Sequence, residues 1–282
     1  MAVLKDINIT DTSAIQLPVG TTLERPTSPV DGYMRFNSDL NLVEYYSDGA
    51  WFFMSDIVKG GLILHLDPGN PNCFSSGDTT CKNLVTGGLV TGANGTPGRG
   101  THSPNSSNFP SYSSNFGGVF NFSGGKGMNC EENLGFRSEM SLCMWFYKTD
   151  GGGDYFTDAR NNNGQWFLSN YTSDNINYTE RLTYNFGGSY NSTNTNFLNN
   201  WQFMCVTSTP DGSKLYLNGN LISGGSRNSV NSNFGVNFRI GTRYTTSSQW
   251  TGFMGPIYAY DRQLSADEVQ QNFNITRSRF NV

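Results

Sequence analysis

The sequence has few charged residues, only two histidines and no long apolar run. Charged side chains make up 14% of the 282 residues, against about 25% in typical globular domains. The 18 basic and 22 acidic residues leave a net charge of −4, so the basic excess of a nucleic-acid-binding protein is missing. With His65 and His102 as the only histidines, a zinc site is not expected.

Membrane-spanning and secretory patterns are also missing. The longest apolar runs, residues 62–66 and 142–147, are too short to cross a bilayer. The N-terminus shows no basic region followed by an apolar stretch, so a secretory signal is not expected. These patterns predict a chain that does not insert into a membrane.

The five cysteines show no evident disulfide framework, because their number is odd and no secretory signal accompanies them. Cys143 and Cys205 lie in apolar strand patterns and are expected to be unreactive core thiols. Cys73 and Cys81 are close enough in a polar loop to close a small ring, and whether they are bridged is left open.

Glycine, asparagine and aromatic residues are abundant instead. The chain holds 33 Gly and 34 Asn, and aromatic residues reach 14%. Glycine and asparagine favour turns, and aromatic residues favour strands. The composition therefore predicts an all-β protein of many short strands and argues against a helical bundle or a doubly wound α/β enzyme.

Residues 1–57 differ from the rest and predict a small first domain. A proline-containing leader comes first, and an Asp48-Gly49 hairpin signal then lies between two apolar-aromatic runs. Residues 32–54 therefore predict a three-stranded β-meander, which is marginally stable alone.

The aromatic side chains of this meander need a partner. We expect residues 1–57 to form an attachment and oligomerisation segment, most simply of a homotrimer that buries four side chains in a shared core. Packing against the second domain of the same chain is the alternative. The four side chains are Tyr33, Phe36, Tyr45 and Trp51.

Residues 58–282 predict one larger β-domain. Apolar and polar positions alternate over residues 139–147, which indicates a strand on a packed sheet. Strand patterns at short spacing predict a β-sandwich of the jelly-roll type. Near the end, the capping box formed by Ser265 and Glu268 predicts one short helix at about 265–276.

Two resemblances extend this interpretation. Residues 62–70, 215–221, 239–241 and 252–269 resemble a laminin-G-like, concanavalin A-type jelly roll, with similarity over about residues 60–278. Residues 18–22, 25–29, 32–37 and 44–51 resemble a short module of structural proteins from tailed bacteriophages.

The second resemblance implies a virion structural protein. We expect a tail-fibre-like or receptor-binding subunit, anchored by its N-terminus and contacting host surface glycans through its sandwich, with other virion proteins as partners. It would be made in the host cytoplasm and need no cofactor. A capsid-surface decoration protein and a free lectin are the alternatives.

Glycoside hydrolases of the concanavalin A type carry Glu-x-Asp-x-x-Glu on one strand, and this motif is absent. Because hydrolysis needs two carboxyl groups across the glycosidic bond, we expect no enzyme activity.

Sugar binding needs planar rings and hydrogen-bonding groups in loops. Six residues are candidates for this role. They are Tyr155, Arg160, Trp166, Tyr171, Tyr244 and Trp250.

Calcium is a further possibility for the loop that contains Asp150, Asp154, Asp158 and residues 161–163. Solvated turn residues explain this cluster of oxygen-bearing side chains as well, and no metal is assigned.

Overall fold

The computed structural model divides the chain into two units, Met1–Asp56 and Ile57–Val282. Ile57 is 4% exposed in an apolar cluster of the second unit, so the second unit begins one residue before the expected boundary. The structure describes residues 16–39, 42–47, 49–53, 56–92, 106–123, 125–132, 134, 139–150, 155–158, 166–171, 181–186, 189–194, 198–225, 238–242 and 249–282.

The first unit is a sheet of four strands in sequence order. The three strands of the expected meander are antiparallel, and a two-residue strand from the leader runs parallel to the first of them. The strands are β1 Val19–Gly20, β2 Met34–Asn37, β3 Leu42–Ser47 and β4 Ala50–Phe53. The leader therefore contributes a strand to the sheet.

The strand register separates the aromatic residues of this unit onto two faces. The pairing of β2 with β3 places Phe36 and Tyr45 on one face. Tyr46 lies opposite Trp51, and because opposed residues share a face, Trp51 belongs to the other one. The expectation that all four aromatic residues share one core is therefore corrected: one face of this sheet cannot hold them all.

A buried carboxylate lies on the face that carries Trp51. Glu44 is fully buried and accepts hydrogen bonds from Arg25 at 2.6 and 3.2 Å and from the Asn37 amide at 3.1 Å. Arg35 lies 3.6 Å from the same carboxylate, and the Arg25 guanidinium stands 5.5 Å from the centre of the Trp51 ring. An ion pair between Arg25 and Glu44 therefore connects the leader to the sheet.

The second unit has sixteen strands in the described residues, followed by an α-helix. Tight turns join several of them. Asn218 and Gly219, for example, both have positive φ and connect two strands as the sequence predicts. The strands are β5 Leu62–Leu66, β6 Thr80–Lys82, β7 Leu89–Gly92, β8 Ser111–Ser113, β9 Val119–Phe122, β10 Met128–Cys130, β11 Met140–Lys148, β12 Tyr155–Asp158, β13 Trp166–Tyr171, β14 Arg181–Phe186, β15 Ser189–Asn194, β16 Trp201–Thr209, β17 Gly212–Leu217, β18 Asn220–Gly225, β19 Phe238–Ile240 and β20 Gly252–Tyr260.

These strands form two eight-stranded sheets. The first has the order β18-β17-β16-β11-β20-β9-β8, with β5 also paired to β20, and the second has the order β15-β14-β13-β12-β19-β10-β7-β6. Their inner faces meet in one apolar core, where Phe146 of β11 packs edge-on against Phe156 of β12 at 4.8 Å. The expected concanavalin A-like sandwich is confirmed.

The first sheet also buries much of its outer face. Trp145 of β11 stacks on Phe273 of the helix α1 (Ala266–Thr276) and on Phe280 of the 3₁₀ helix Arg277–Phe280. The Trp145 indole N–H donates to Thr276 Oγ1 at 2.7 Å. The strand β11 is therefore buried on both sides.

The predicted helix is confirmed, and its N-terminus is capped as the sequence indicates. The Ser265 hydroxyl accepts from the Glu268 N–H at 3.2 Å, and Glu268 accepts from the Ser265 N–H at 2.9 Å. The Glu268 carboxylate also pairs with Arg262 at 2.6 Å.

In the part of the chain that is described, no helix is both long and apolar enough to cross a membrane.

The expectation for two of the cysteines is wrong. Cys143 and Cys205 lie opposite each other on β11 and β16 and form a disulfide. Cys73, Cys81 and Cys130 are free and buried. A hydrogen bond from the Cys81 thiol is the main cause that lowers the pKa of Cys73, so these two thiols lie side by side without a bond.

We expect alkylation of the unreduced, denatured chain to label three cysteines, namely Cys73, Cys81 and Cys130. Peptide mass spectrometry measures this directly. The Cys143–Cys205 bond joins residues 62 apart, so its loss should lower the free energy of unfolding by about 4 kcal/mol. Labelling of all five residues, or of Cys130 alone, would contradict the disulfide pattern.

We expect Glu268→Gln to destabilise the chain in a pH-dependent way. The hydrogen bond from Arg262 is the largest of the causes that lower the pKa of Glu268 below its ordinary 4.5. A carboxylate whose pKa is lower in the folded state stabilises above its unfolded pKa, and this contribution disappears as the pH falls through the folded pKa.

At neutral pH, the cost should be about 0.5–1 kcal/mol, as for a partly exposed pair. Denaturant unfolding at a series of pH values measures it, with the exposed Glu139→Gln as the control. A difference that persists far below pH 4.5 would show that the charge of Glu268 is not responsible.

Candidate functional site

Three of the residues expected to contact sugar lie on neighbouring strands of the second sheet. Tyr155 begins β12, and Trp166 and Tyr171 begin and end β13, which pairs with β12. Arg160 and Tyr244 lie outside the described residues. For these five residues, the sugar contact stays a prediction.

The expectation for Trp250 is corrected, because its side chain belongs to the core. Trp250 is 1% exposed. Its ring packs against Phe156 at 4.2 Å and against Phe146 at 5.9 Å, and the Lys148 ammonium lies 4.7 Å from its centre. No face of this ring is open to a ligand.

The loop considered for calcium is described only in part. Asp150 pairs with the buried Lys148 at 2.5 Å, and Asp158 ends β12. Asp154 and residues 161–163 fall among the residues that are not described. Within the described ranges, no cluster of three or more His, Cys, Asp or Glu residues is placed to hold a metal ion.

A groove lined by aromatic rings opens on the outer face of the first sheet. Trp201 of β16, Tyr147 of β11 and Phe253 of β20 lie side by side across three paired strands. The Tyr147 ring centre is 5.6 Å from that of Trp201 and 6.0 Å from that of Phe253. We call this cavity of about 200 Å³ the aromatic groove; its other lining residues are Ser113, Asn115, Phe116 and Val119.

The described residues that line the aromatic groove are all uncharged. Phe116 is 38% exposed, whereas Trp201 is only 6% exposed. The Trp201 indole N–H is buried and meets no hydrogen-bond acceptor in the described part of the chain. Ring faces, a hydroxyl and an amide therefore surround one small cavity.

An unusual backbone conformation presents Phe116 to the groove. Phe116 has φ 52°, in the left-handed region that side chains rarely adopt. Arg279 holds this segment by donating to the Phe116 carbonyl at 2.5 Å and to the Gly118 carbonyl. It also pairs with Asp67 at 2.7 Å, so the C-terminal segment fixes this wall of the groove.

The outer face of the second sheet carries a polar row instead. Thr91, Asn129 and Arg239 lie opposite one another on β7, β10 and β19, and all three are less than a tenth exposed. Glu131 accepts from the Thr91 hydroxyl at 2.5 Å and from the Asn129 amide at 3.2 Å. This polar surface is enclosed, so the aromatic groove is the better candidate for a ligand site.

The thiol beside this polar row is unreactive. Desolvation by burial, followed by the nearby charges of Glu132 and Glu131, raises the pKa of Cys130 far above its ordinary 9.0. The thiol stays protonated at neutral pH and offers neither a nucleophile nor a metal ligand.

Sequence reasoning missed the aromatic groove. The three rings in its floor lie far apart along the chain and meet only through the pairing of β16, β11 and β20. One signal was present: the second face of the alternating segment carries Cys143, Trp145 and Tyr147 after Ser141, so this face is also largely apolar. A strand with two apolar faces indicates that something packs on its outer side.

Comparisons with solved structures identify similar folds. Domain 4 of AbnA, a GH43 extracellular arabinanase from Geobacillus stearothermophilus, solved in complex with arabinotriose, matches with a TM-score of 0.54 and 14% identity, over 77% of this chain and 100% of that domain. The receptor-binding domain of botulinum neurotoxin type G matches with a TM-score of 0.52 and 15% identity, over 77% of this chain and 51% of that domain.

A botulinum neurotoxin type C structure, described as dependent on two ganglioside molecules for cell entry, matches with a TM-score of 0.54 and 17% identity, over 77% of this chain and 51% of that one. The chain thus spans about half of these neurotoxin structures. At such identities, the likeness shows the fold alone.

No curated protein sequence matches the chain significantly. The sequence profile of a laminin-G-like family, described as the concanavalin A-like lectin/glucanases superfamily, matches residues 123–270. This match includes just over half of the 282 residues and lies within the sandwich unit, so the chain belongs to the concanavalin A-like lectin/glucanase superfamily.

Proposed function

We propose that this chain is a non-enzymatic glycan-binding protein whose sandwich unit binds sugar in the aromatic groove. The observation that carries the proposal is a row of rings across three strands, in which Tyr147 and Phe253 are partly exposed beside the buried Trp201, in a cavity whose described lining is uncharged. Flat ring faces suit the C–H face of a sugar ring, and the Ser113 and Asn115 side chains suit its hydroxyl groups. The arabinotriose and gangliosides named with similar folds support this ligand class.

The groove suits binding without hydrolysis. Glycoside hydrolysis needs two carboxyl groups on either side of the scissile bond, and none of the described residues that line the groove carries one. One similar fold is a domain of an arabinanase, but the fold alone does not carry that chemistry.

We further propose that the first unit attaches the chain to a virus particle as a tail-fibre-like or receptor-binding subunit, with capsid-surface decoration as the alternative. The resemblance of residues 18–51 to phage structural modules supports this role. Its sheet is a compact unit of its own, and the large apolar side chains of Val19, Leu23, Val30 and Met34 are exposed. A free lectin has no use for such a unit.

The same unit is proposed to assemble the chain as a homotrimer through Tyr33, Phe36, Tyr45 and Trp51, in contacts that use both faces of the sheet. Tyr33 and Trp51 line one cavity of about 540 Å³, whereas Phe36 and Tyr45 lie on the other face from Trp51.

We expect Phe116→Ala to weaken glycan binding by about tenfold, which corresponds to about 1.4 kcal/mol. The change removes the exposed ring that borders the groove and keeps a non-glycine residue at the same backbone position. Glycan-array screening followed by titration calorimetry measures it.

The control for this variant is Leu221→Ala, which also truncates an exposed apolar side chain, outside the groove lining. Equal binding by Phe116→Ala and the unaltered chain would count against the groove as the site. Release of reducing ends from a bound polysaccharide would count against a purely binding function.

We expect residues 57–282 alone to remain folded, bind glycan with unchanged affinity and behave as a monomer. The full chain should form a species with three times the mass of a single chain in solution, and it should bind the virus particle. Light scattering and particle co-sedimentation test both points. Equal association states, together with particle binding by residues 57–282, would refute the role of the first unit.

A further inference from the structure

Two free thiols lie side by side at an edge of the second sheet. Cys81 belongs to the edge strand β6, and the carbonyl of Cys73 accepts a hydrogen bond from the N–H of Lys82, the next residue of that strand, at 2.8 Å. This bond holds the backbone of Cys73 beside β6, and the Cys81 thiol donates a hydrogen bond to the Cys73 sulfur. Such a close approach of backbone and sulfur suits the short separation that a disulfide requires.

The third free cysteine is too far from Cys81 to compete. Val90 of β7 pairs with Cys81 on one side and with Cys130 on the other, so Cys81 and Cys130 lie two strand spacings apart. Because neighbouring strands are about 4.8 Å apart, their backbones are separated by about 9.6 Å. A disulfide needs less than about 7 Å unless the backbone moves, so Cys73 is the partner that the geometry gives to Cys81.

The two thiols have different surroundings. The Cys73 sulfur accepts the backbone N–H of Asp67 at 3.3 Å. The hydrogen bond from Cys81 and, to a smaller extent, the one from Asp67 lower the pKa of Cys73 below its ordinary 9.0. The hydrogen bond to Cys73, followed by burial, raises the pKa of Cys81. Because the thiolate is the reactive form of cysteine, Cys73 is the nucleophile of the pair and Cys81 is the second thiol.

The segment between the two cysteines reaches the surface. Cys73 and Cys81 are only 3% and 1% exposed, but residues 71–72 and 75–79 on either side of Cys73 are exposed. A short surface segment can open locally while the sheets stay folded, and such an opening brings a small oxidant to Cys73. Cys130 lies on β10 between β7 and β19, so its exposure requires the sheet itself to open.

We infer that Cys73 and Cys81 are an oxidation site, at which a peroxide forms a second disulfide that closes residues 73–81 into a ring. The Cys73 thiolate attacks one oxygen of hydrogen peroxide, the O–O bond breaks, and the departing hydroxide takes the proton that Cys73 lost and leaves as water. The Cys81 sulfur then attacks the Cys73 sulfenic acid. The S–S bond forms as the S–O bond breaks, and the hydroxyl group leaves with the Cys81 proton as a second water. The two thiols are oxidised, and the peroxide is reduced.

The bridge would hold a segment that carries other contacts of the sandwich unit. Asp67, whose N–H is bonded to the Cys73 sulfur, pairs through its side chain with Arg279. Closing residues 73–81 into a ring restricts the unfolded chain, so we expect the melting temperature to rise by roughly 5 °C after oxidation.

Peptide mapping of the full chain tests this inference. The unreduced chain is treated with hydrogen peroxide, which catalase then removes, and it is denatured, alkylated and cleaved with trypsin. Cleavage after Lys59 and Lys82 leaves both thiols in one peptide, residues 60–82, whereas Cys130 lies in another, residues 127–137. We expect peroxide to convert peptide 60–82 from its doubly alkylated form to an unalkylated form that has lost two hydrogen atoms, while Cys130 stays alkylated.

Three serine variants separate the roles of the thiols. Cys81→Ser leaves Cys73 without a second thiol, so we expect oxidation to stop at a Cys73 sulfenic acid that dimedone traps. Cys73→Ser removes the nucleophile, so we expect Cys81 to be oxidised at least tenfold more slowly. Cys130→Ser, which changes a buried thiol of the same sheet, is the matched control and should form the bridge at an unchanged rate. Because peroxide also oxidises methionine, the rise in melting temperature is measured against peroxide-treated Cys81→Ser, which should show none.

A bridge within peptide 60–82, with Cys130 still alkylated, would support the inference. Full alkylation of this peptide after peroxide treatment, a bridge to Cys130 or to a second chain, or a sulfonic acid at Cys73 in place of the bridge would overturn it. The mapping uses the unaltered chain, so its result holds even where a variant does not fold. None of these outcomes depends on whether the aromatic groove binds glycan.

Discussion

The sandwich depends on one strand, β11, whose two faces must both be kept from water. Leu142, Met144 and Phe146 point into the core between the sheets, whereas Cys143 and Trp145 point outward. Because side chains alternate along a strand, an apolar outer row needs a cover of its own. The C-terminal helix supplies that cover, and this requirement explains why a helix follows the last strand.

The aromatic groove follows from the same constraint. Trp201, Tyr147 and Phe253 continue the apolar outer row across β16, β11 and β20, beyond the point where Trp145 stacks on Phe273 and Phe280. The C-terminal segment therefore covers one part of this face and borders the open part, since Phe280 also contacts the Trp201 ring at 4.5 Å. Arg279, its neighbour in sequence, fixes the opposite wall.

Local patterns in the sequence predicted the elements that local physics determines. The Asn218-Gly219 hairpin, the Ser265 cap and the alternation of residues 139–147 all appear in the structure. The separation of Trp51 from Phe36 and Tyr45 was also predictable: a two-residue turn at Asp48-Gly49 places Tyr46 opposite Trp51, and alternation then assigns the faces.

Features that depend on the pairing of distant strands were not predictable in this way. The Cys143–Cys205 bond requires the register of β11 with β16, which lie about sixty residues apart. The burial of Trp250 depends on Phe146 and Phe156, which lie on two strands of different sheets. The residues next to these positions in the sequence do not indicate which distant residues will contact them. Composition and local spacing therefore could not predict the disulfide or the burial of Trp250.

Membership of a fold family does not determine which face of the sandwich binds a ligand, because the two outer faces carry different chemistry. On the second sheet, Thr91 and Asn129 are enclosed and already bonded to Glu131, so a ligand there would have to displace existing hydrogen bonds. On the first sheet, Phe116 is exposed at the groove, and Tyr147 and Phe253 are partly exposed. A ligand can reach exposed groups without displacing existing hydrogen bonds, so the first sheet offers the more accessible outer face, for reasons that belong to the side chains of this chain and not to its fold.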